Sequence, residues 1–237
     1  MNREKGFAVA RSHAAALATR TGTGVITTLP SDVQRVLRNT YALLSLTLLF
    51  AAAVATASVA FALPAPGLLL TLLGYFGLLF VVHRVRNSGW ALPAVFALTG
   101  FMGYTLGPIL SRTLSLPGGA TTIAMALGAT GAIFLALSAW VLTTRRDFSW
   151  MGGMLFAGMI VAILAGLAAV FFDMPALSLA VSAMVALLSA GLILYETSAI
   201  VNGGETNYVM ATVGLFVSLF NLFTSLLQLF GLNGPGD

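Results

Sequence analysis

Met151-Gly152-Gly153-Met154-Leu155-Phe156-Ala157-Gly158-Met159-Ile160-Val161-Ala162-Ile163-Leu164-Ala165-Gly166-Leu167-Ala168-Ala169-Val170-Phe171-Phe172 contains no charged, hydroxyl or amide side chain. A helix rising about 1.5 Å per residue needs roughly 20 such residues to cross the hydrocarbon core, where no water is present to satisfy the backbone. Predominantly apolar stretches of similar length, with few polar residues, cover 41–62, 66–82, 90–110, 119–142, 175–200 and 208–231. Turn-forming punctuation separates them, as in Leu63-Pro64-Ala65-Pro66-Gly67, Ser115-Leu116-Pro117-Gly118-Gly119 and Asn202-Gly203-Gly204-Glu205. The predicted fold is an all-α membrane protein with seven transmembrane helices. Composition agrees: 59 % of residues are hydrophobic and 8 % charged, with a mean hydropathy of +0.99. A soluble domain has about 45–50 % apolar and about 25 % charged residues.

The net charge of +4 reflects topology and not nucleic-acid binding. Of the eleven basic residues, six precede the first span (Arg3, Lys5, Arg11, Arg20, Arg35 and Arg38). Arg84 and Arg86 occupy the second connection and Arg145 and Arg146 the fourth, which leaves only Arg112 on the opposite side. By the positive-inside rule the N-terminus is cytoplasmic, and seven crossings put the C-terminus outside. Residues 1–39 are expected to form a mobile cytoplasmic tail, too short and polar to build a core. An amphipathic surface helix or a targeting peptide is the alternative for its first twenty residues. Residues 40–232 make the transmembrane domain and 233–237 a short C-terminal tail.

Small residues recur at helix-packing intervals: Gly103 and Gly107, Gly128 and Ala132, Gly158 and Ala162, then Gly166. In lipid such positions let backbones approach closely, so they are read as packing sites. No internal repeat indicates an inverted-repeat transporter.

Chemistry inside the membrane is sparse. Glu196 stands near the end of a long apolar helix, where an ionisable group costs about 2.5–3.5 kcal/mol at mid-span and by default faces the bundle interior or a polar cavity. The competing reading leaves it at the cytoplasmic interface, in water. The seventh span carries Thr212, Ser218, Asn221, Thr224, Ser225 and Gln228, and Ser218, Asn221 and Ser225 share a face by their i, i+3, i+7 spacing. Such a stripe suits a central helix that hydrogen-bonds its neighbours, with a polar pathway as the sharper alternative.

No enzymatic signature is present: neither a G-x-S-x-G elbow, nor an H-E-x-x-H zinc pair, nor paired intramembrane aspartates. Cysteine is absent, and the two histidines, His13 and His83, make a metal site improbable. No catalytic residue, metal ligand or cofactor is assigned.

Four segments carry a resemblance. Thr99-Gly100-Phe101-Met102-Gly103-Tyr104-Thr105-Leu106-Gly107-Pro108-Ile109, Tyr195-Glu196-Thr197, Gly203-Gly204-Glu205-Thr206-Asn207-Tyr208 and Leu215-Phe216-Val217-Ser218-Leu219-Phe220-Asn221-Leu222-Phe223 resemble the Bax inhibitor-1 family from about Val36 to Gly231. The opening Val36-Leu37-Arg38-Asn39-Thr40-Tyr41 and the Gly203–Tyr208 motif are similar to its bacterial YccA branch, modulators of the membrane-anchored AAA protease FtsH.

The resemblance implies a seven-helix bundle with the last helix central. It also implies residence in the bacterial inner membrane, with an FtsH-type protease, its membrane-bound regulators and the lipid bilayer as partners. Under this reading the chain is a substrate-like inhibitor acting in membrane-protein quality control. The rival reading is a pH-sensitive calcium or other ion leak, because some relatives use one aspartate at the position of Glu196 and another at that of Ser218. Adjacent carboxylates share a proton because like charges resist joint ionisation, and here the second acid is a serine. Calcium prefers several hard oxygen ligands, which Glu196, Ser218 and Asn221 supply poorly.

Overall fold

A computed structural model describes residues 29–232. Residues 1–28 and 233–237, which hold most of the expected N-terminal tail and all of the C-terminal one, lie outside the described residues. Seven long helices follow: α1 (Ser31–Ala60), α2 (Leu68–Val85), α3 (Ala91–Leu114), α4 (Gly119–Thr144), α5 (Gly152–Phe171), α6 (Pro175–Val201) and α7 (Tyr208–Leu232), with a single 3₁₀ turn at Ser149–Met151 leading into α5. No strand occurs among the described residues. Each helix is long and apolar enough to cross a bilayer.

Six of the seven helices lie close to the expected spans. The seventh, α1, begins at Ser31 and not near Tyr41, so residues 31–39, expected in the tail, are helical. Asp32, Arg35 and Arg38 keep this first part wet. Hydropathy locates where the hydrocarbon begins, whereas a helix continues into water as long as its backbone bonds do.

The last helix is the axis of the bundle. In α7, 61 % of the most apolar window is buried within the protein, against 39 % in α3 and 6 % in α2. Helix α7 packs against α6, α4 and α3, and Thr212 Oγ1 donates to the Thr40 carbonyl of α1 at 3.3 Å. An outer rank completes the bundle, α2 lying along α3 and α5 along α6.

Close backbone contact explains part of the glycine pattern. A Cβ on Gly103 would strike the Ala51 backbone of α1, and one on Gly107 would strike Ser58. On Gly158 it would reach Leu188 Cδ2 at 2.7 Å, and Ala162 one turn on is buried. Gly128 is different: nothing lies within 4 Å of its Cβ position, and Ala132 is exposed. An i, i+4 pair defines a face without saying what covers it, and this face of α4 is not a packing surface. Nearby, Leu127, Thr130, Gly131 and Phe134 line an apolar cleft of about 520 Å³ floored by Phe216, Leu219, Phe220 and Phe223 of α7.

Candidate functional site

Glu196 lies little more than one turn before the end of α6 at Val201. Helical side chains lean toward the N-terminus of their own helix, which here aims the carboxylate back into the bundle. Ser218 Oγ of α7, only 1 % exposed, donates to Glu196 Oε2 at 3.1 Å. Gly214, one turn earlier on the same face of α7, makes the approach possible: a Cβ there would lie 2.6 Å from Glu196 Oε1 and 2.9 Å from its Cδ. The carboxylate is thus partly buried and bonded to α7.

The structure brings Glu196 and Ser218 together and leaves Asn221 apart. Asn221 is partly buried one turn further along α7, and its side chain makes no hydrogen bond with another described residue. Thr197, beside Glu196, is fully buried and its hydroxyl has no partner. Among the described residues, no three or more His, Cys, Asp or Glu gather into a cluster.

The remaining motif residues build the frame. Pro108 sits inside α3 and lacks the N–H that would bond the carbonyl four residues earlier, Tyr104. Ser58 of α1 fills that place, its Oγ donating to the Tyr104 carbonyl at 3.3 Å through the gap left by Gly107. Tyr104 in turn donates its hydroxyl to the Pro64 carbonyl at 2.6 Å. The glycine, tyrosine and proline of this motif therefore form one docking element between α1 and α3. Tyr195 lies against Gly152, with 3.0 Å between its ring and a Cβ placed there.

The Gly203–Tyr208 motif is a turn with two caps. Gly203 has φ +75°, and Gly204 N bonds the Ala199 carbonyl at 2.7 Å while Gly203 N bonds that of Ile200 at 3.2 Å. This pair of bonds is the Schellman arrangement, which favours glycine at its left-handed position. Asn207 then caps α7, its Oδ1 accepting from Val209 N at 2.9 Å and Met210 N at 3.2 Å. Its amide donates to Asn87 Oδ1 at 2.7 Å and to the Arg86 carbonyl at 3.3 Å, and Glu205 Oε1 accepts from Asn207 N at 2.7 Å. Ser198 ties down the next connection, accepting from Phe148 N at 2.9 Å and donating to the Arg146 carbonyl at 3.1 Å. The α2–α3 and α4–α5 connections are thereby pinned to the two ends of the α6–α7 turn. Thr206 and Tyr208 border two clefts there, one of about 470 Å³ reaching Arg86 and one of about 360 Å³ reaching Asp32 and Arg35.

Sequence reading missed Gly214, Ser58 and Ser198. Gly214 had a signal, standing four residues before Ser218 on one helical face. The other two had none, because each acts on a segment distant in sequence, Ser58 on α3 and Ser198 on the α4–α5 connection.

The family described as "Inhibitor of apoptosis-promoting Bax1" matches residues 33–235. The chain belongs to this Bax inhibitor-1 family. Among Bax inhibitor-1 proteins it is 54 % identical over 200 residues to the modulator of FtsH protease YccA of Escherichia coli K12, covering 84 % of this chain and 91 % of that one. The same protein from E. coli O6:H1 carries the name inner membrane protein YccA, with the same identity and coverage. An uncharacterized Pseudomonas aeruginosa protein is 52 % identical over 206 residues, covering 87 % of this chain and 93 % of its own length.

Proposed function

We propose that this Bax inhibitor-1 protein is an inner-membrane modulator of an FtsH-type AAA protease, acting as a slowly processed, substrate-like inhibitor. The observation that carries this reading is the 54 % identity, over 84 % of the chain, to a protein named for that role. The bundle fits it. A processive unfoldase must pull α1 away from Gly103, Gly107 and Thr212, and then separate an α6–α7 pair joined by side-chain hydrogen bonds along its length.

The basic end is read as cytoplasmic. Trp90, Trp140 and Trp150 are exposed near that end, as expected of an interfacial aromatic belt. The N-terminal segment ahead of α1 would then face the protease's cytoplasmic pore and supply the end it grips, while the bundle engages the protease within the membrane.

A calcium leak is the weaker reading, since one carboxylate bonded to a serine offers few of the hard oxygens that calcium takes. No residue set of the described structure supports a catalytic assignment.

Deleting residues 2–25 tests the proposal. The trimmed protein should keep its membrane insertion, because α1 and the flanking Arg35 and Arg38 remain, and its cellular lifetime should lengthen. An unrelated polar segment of equal length should restore turnover. An unchanged lifetime after trimming would overturn the reading.

A further inference from the structure

At the basic end of the bundle the α2–α3 connection meets the turn between α6 and α7, the Asn207 amide donating to Asn87 Oδ1 at 2.7 Å. Around that bond opens the cleft of about 470 Å³, lined from one connection by Arg86, Asn87 and Ser88 and from the other by Thr206, Asn207 and Tyr208. Its acceptors are largely spent. Asn87 Oδ1 takes the Asn207 amide, Asn207 Oδ1 takes two N–H groups of α7, and Ser88 Oγ accepts from Trp90 N at 3.3 Å. Its donors are free. The Arg86 guanidinium, the Asn87 amide hydrogens and the Thr206 and Tyr208 hydroxyls make no hydrogen bond or ion pair with a described residue.

The charge around the cleft has one sign. Among the described residues no acid lines it; Glu205 accepts from Asn207 N at 2.7 Å, and Asp32 lines the neighbouring cleft together with Arg35. Ala91, where α3 begins without a side-chain cap, also borders the cleft, so the positive end of that helix adds to the field. A free guanidinium among neutral donors selects an anion with several oxygens, and its planar fork matches a phosphate through two parallel hydrogen bonds.

Depth decides where that phosphate comes from. Trp90, at the start of α3, is 72 % exposed, and Leu92, which lines the cleft, is 41 % exposed. An exposed tryptophan at a span's end marks the headgroup level, and the leucine leads from there toward the hydrocarbon. Helix α2, which ends next to Arg86, is only 6 % buried over its apolar window, so the bilayer reaches this side of the bundle.

We propose that the cleft holds the phosphate of one anionic phospholipid, with Arg86 as its cationic ligand and Thr206 and Tyr208 donating from the opposite connection. Basic pockets between membrane helices take acidic headgroups in this way. The lipid bridges the α2–α3 connection and the α6–α7 turn in parallel with the Asn87–Asn207 bond, and so steadies the start of the central helix. Arg84, exposed two residues earlier, does not line the cleft and feels only the general attraction of an anionic surface.

Native mass spectrometry of the full chain in mild detergent, titrated with phosphatidylglycerol or phosphatidylcholine, counts the bound lipid. One phosphatidylglycerol should be retained in preference to phosphatidylcholine. Arg86→Gln should weaken its binding about tenfold, the worth of a hydrogen-bonded charge, and Thr206→Val about threefold. Arg84→Gln removes the same charge nearby and should change it by less than about twofold, since an exposed charge in salt acts weakly. Without anionic lipid all three variants should unfold at the midpoint of the unaltered protein. Added phosphatidylglycerol should raise that midpoint in the unaltered protein and not in Arg86→Gln, because a ligand stabilises only the state that binds it. Equal losses in Arg84→Gln and Arg86→Gln, or no preference over phosphatidylcholine, would overturn the site. A midpoint raised as far by inorganic phosphate without lipid, and lost in Arg86→Gln, would give the cleft to a soluble anion and overturn the lipid.

Discussion

Gly214→Ala reports directly on how Glu196 is held. The new methyl would stand 2.6 Å from Glu196 Oε1 and 2.9 Å from Cδ, so the carboxylate must swing away or the helices must part. Swinging away strands the Ser218 hydroxyl, which is 1 % exposed, at a cost of about 1–3 kcal/mol for a buried group left unpaired. Parting the helices costs a similar ~1–3 kcal/mol of overpacking. Alanine also favours a helix over glycine by about 1 kcal/mol, so the single variant should lose about 0–2 kcal/mol net. The cleaner quantity is the coupling. In a Glu196→Ala background the clash and the Ser218 bond are already gone, and Gly214→Ala should then stabilise by up to about 1 kcal/mol. Unfolding in mixed micelles of a mild and a denaturing detergent would measure all four proteins. A sign change between backgrounds is expected. An equal loss with and without Glu196 would show that the close approach is not what glycine at 214 serves.

Other outcomes follow from the same geometry. Asn207→Ala removes the α7 cap and the tie to Asn87, and should cost about 0.5–2 kcal/mol in the same unfolding assay, while Asn207→Asp, which keeps the acceptor, should lose less. Gly203→Ala places a Cβ at φ +75° and should cost about 1–2 kcal/mol, with Gly203→Asn milder. In liposomes, proton-switched calcium flux through the unaltered protein should be weak or absent, and Ser218→Asp should raise it; robust flux abolished by Glu196→Gln would favour the leak reading. Single cysteines at Ser88 and Ser149 should label from the cytoplasm and those at Ala65 and Leu116 from outside, all four being exposed; labelling of Ser88 and Ala65 from one side would sink the topology.

Most of the fold was legible because the bilayer imposes its own thickness on the sequence. Spans such as 119–142 and 175–200 fall within two residues of α4 and α6, since their ends coincide with Pro117-Gly118 and Asn202-Gly203. The start of α1 was not legible, because its first turns lie where charge is tolerated and hydropathy has no purchase. Small-residue spacing found the Gly103–Gly107 contact with α1 but misjudged Gly128, since periodicity records a face and not its neighbour. The polar stripe correctly marked α7 as central. That Glu196 meets Ser218 and not Asn221 depended on the resemblance and then on geometry, for nothing in the spacing of one helix fixes its register against another.

The central claim is best tested in a reconstituted system. An FtsH-type protease and a second membrane substrate would be placed in liposomes with ATP, and degradation of that substrate followed with and without this protein. The account predicts that the intact protein co-purifies with the protease and slows the second substrate's degradation, and that the form lacking residues 2–25 slows it for longer because it is itself spared. A degradation rate unchanged by either form, with both correctly inserted, would contradict it.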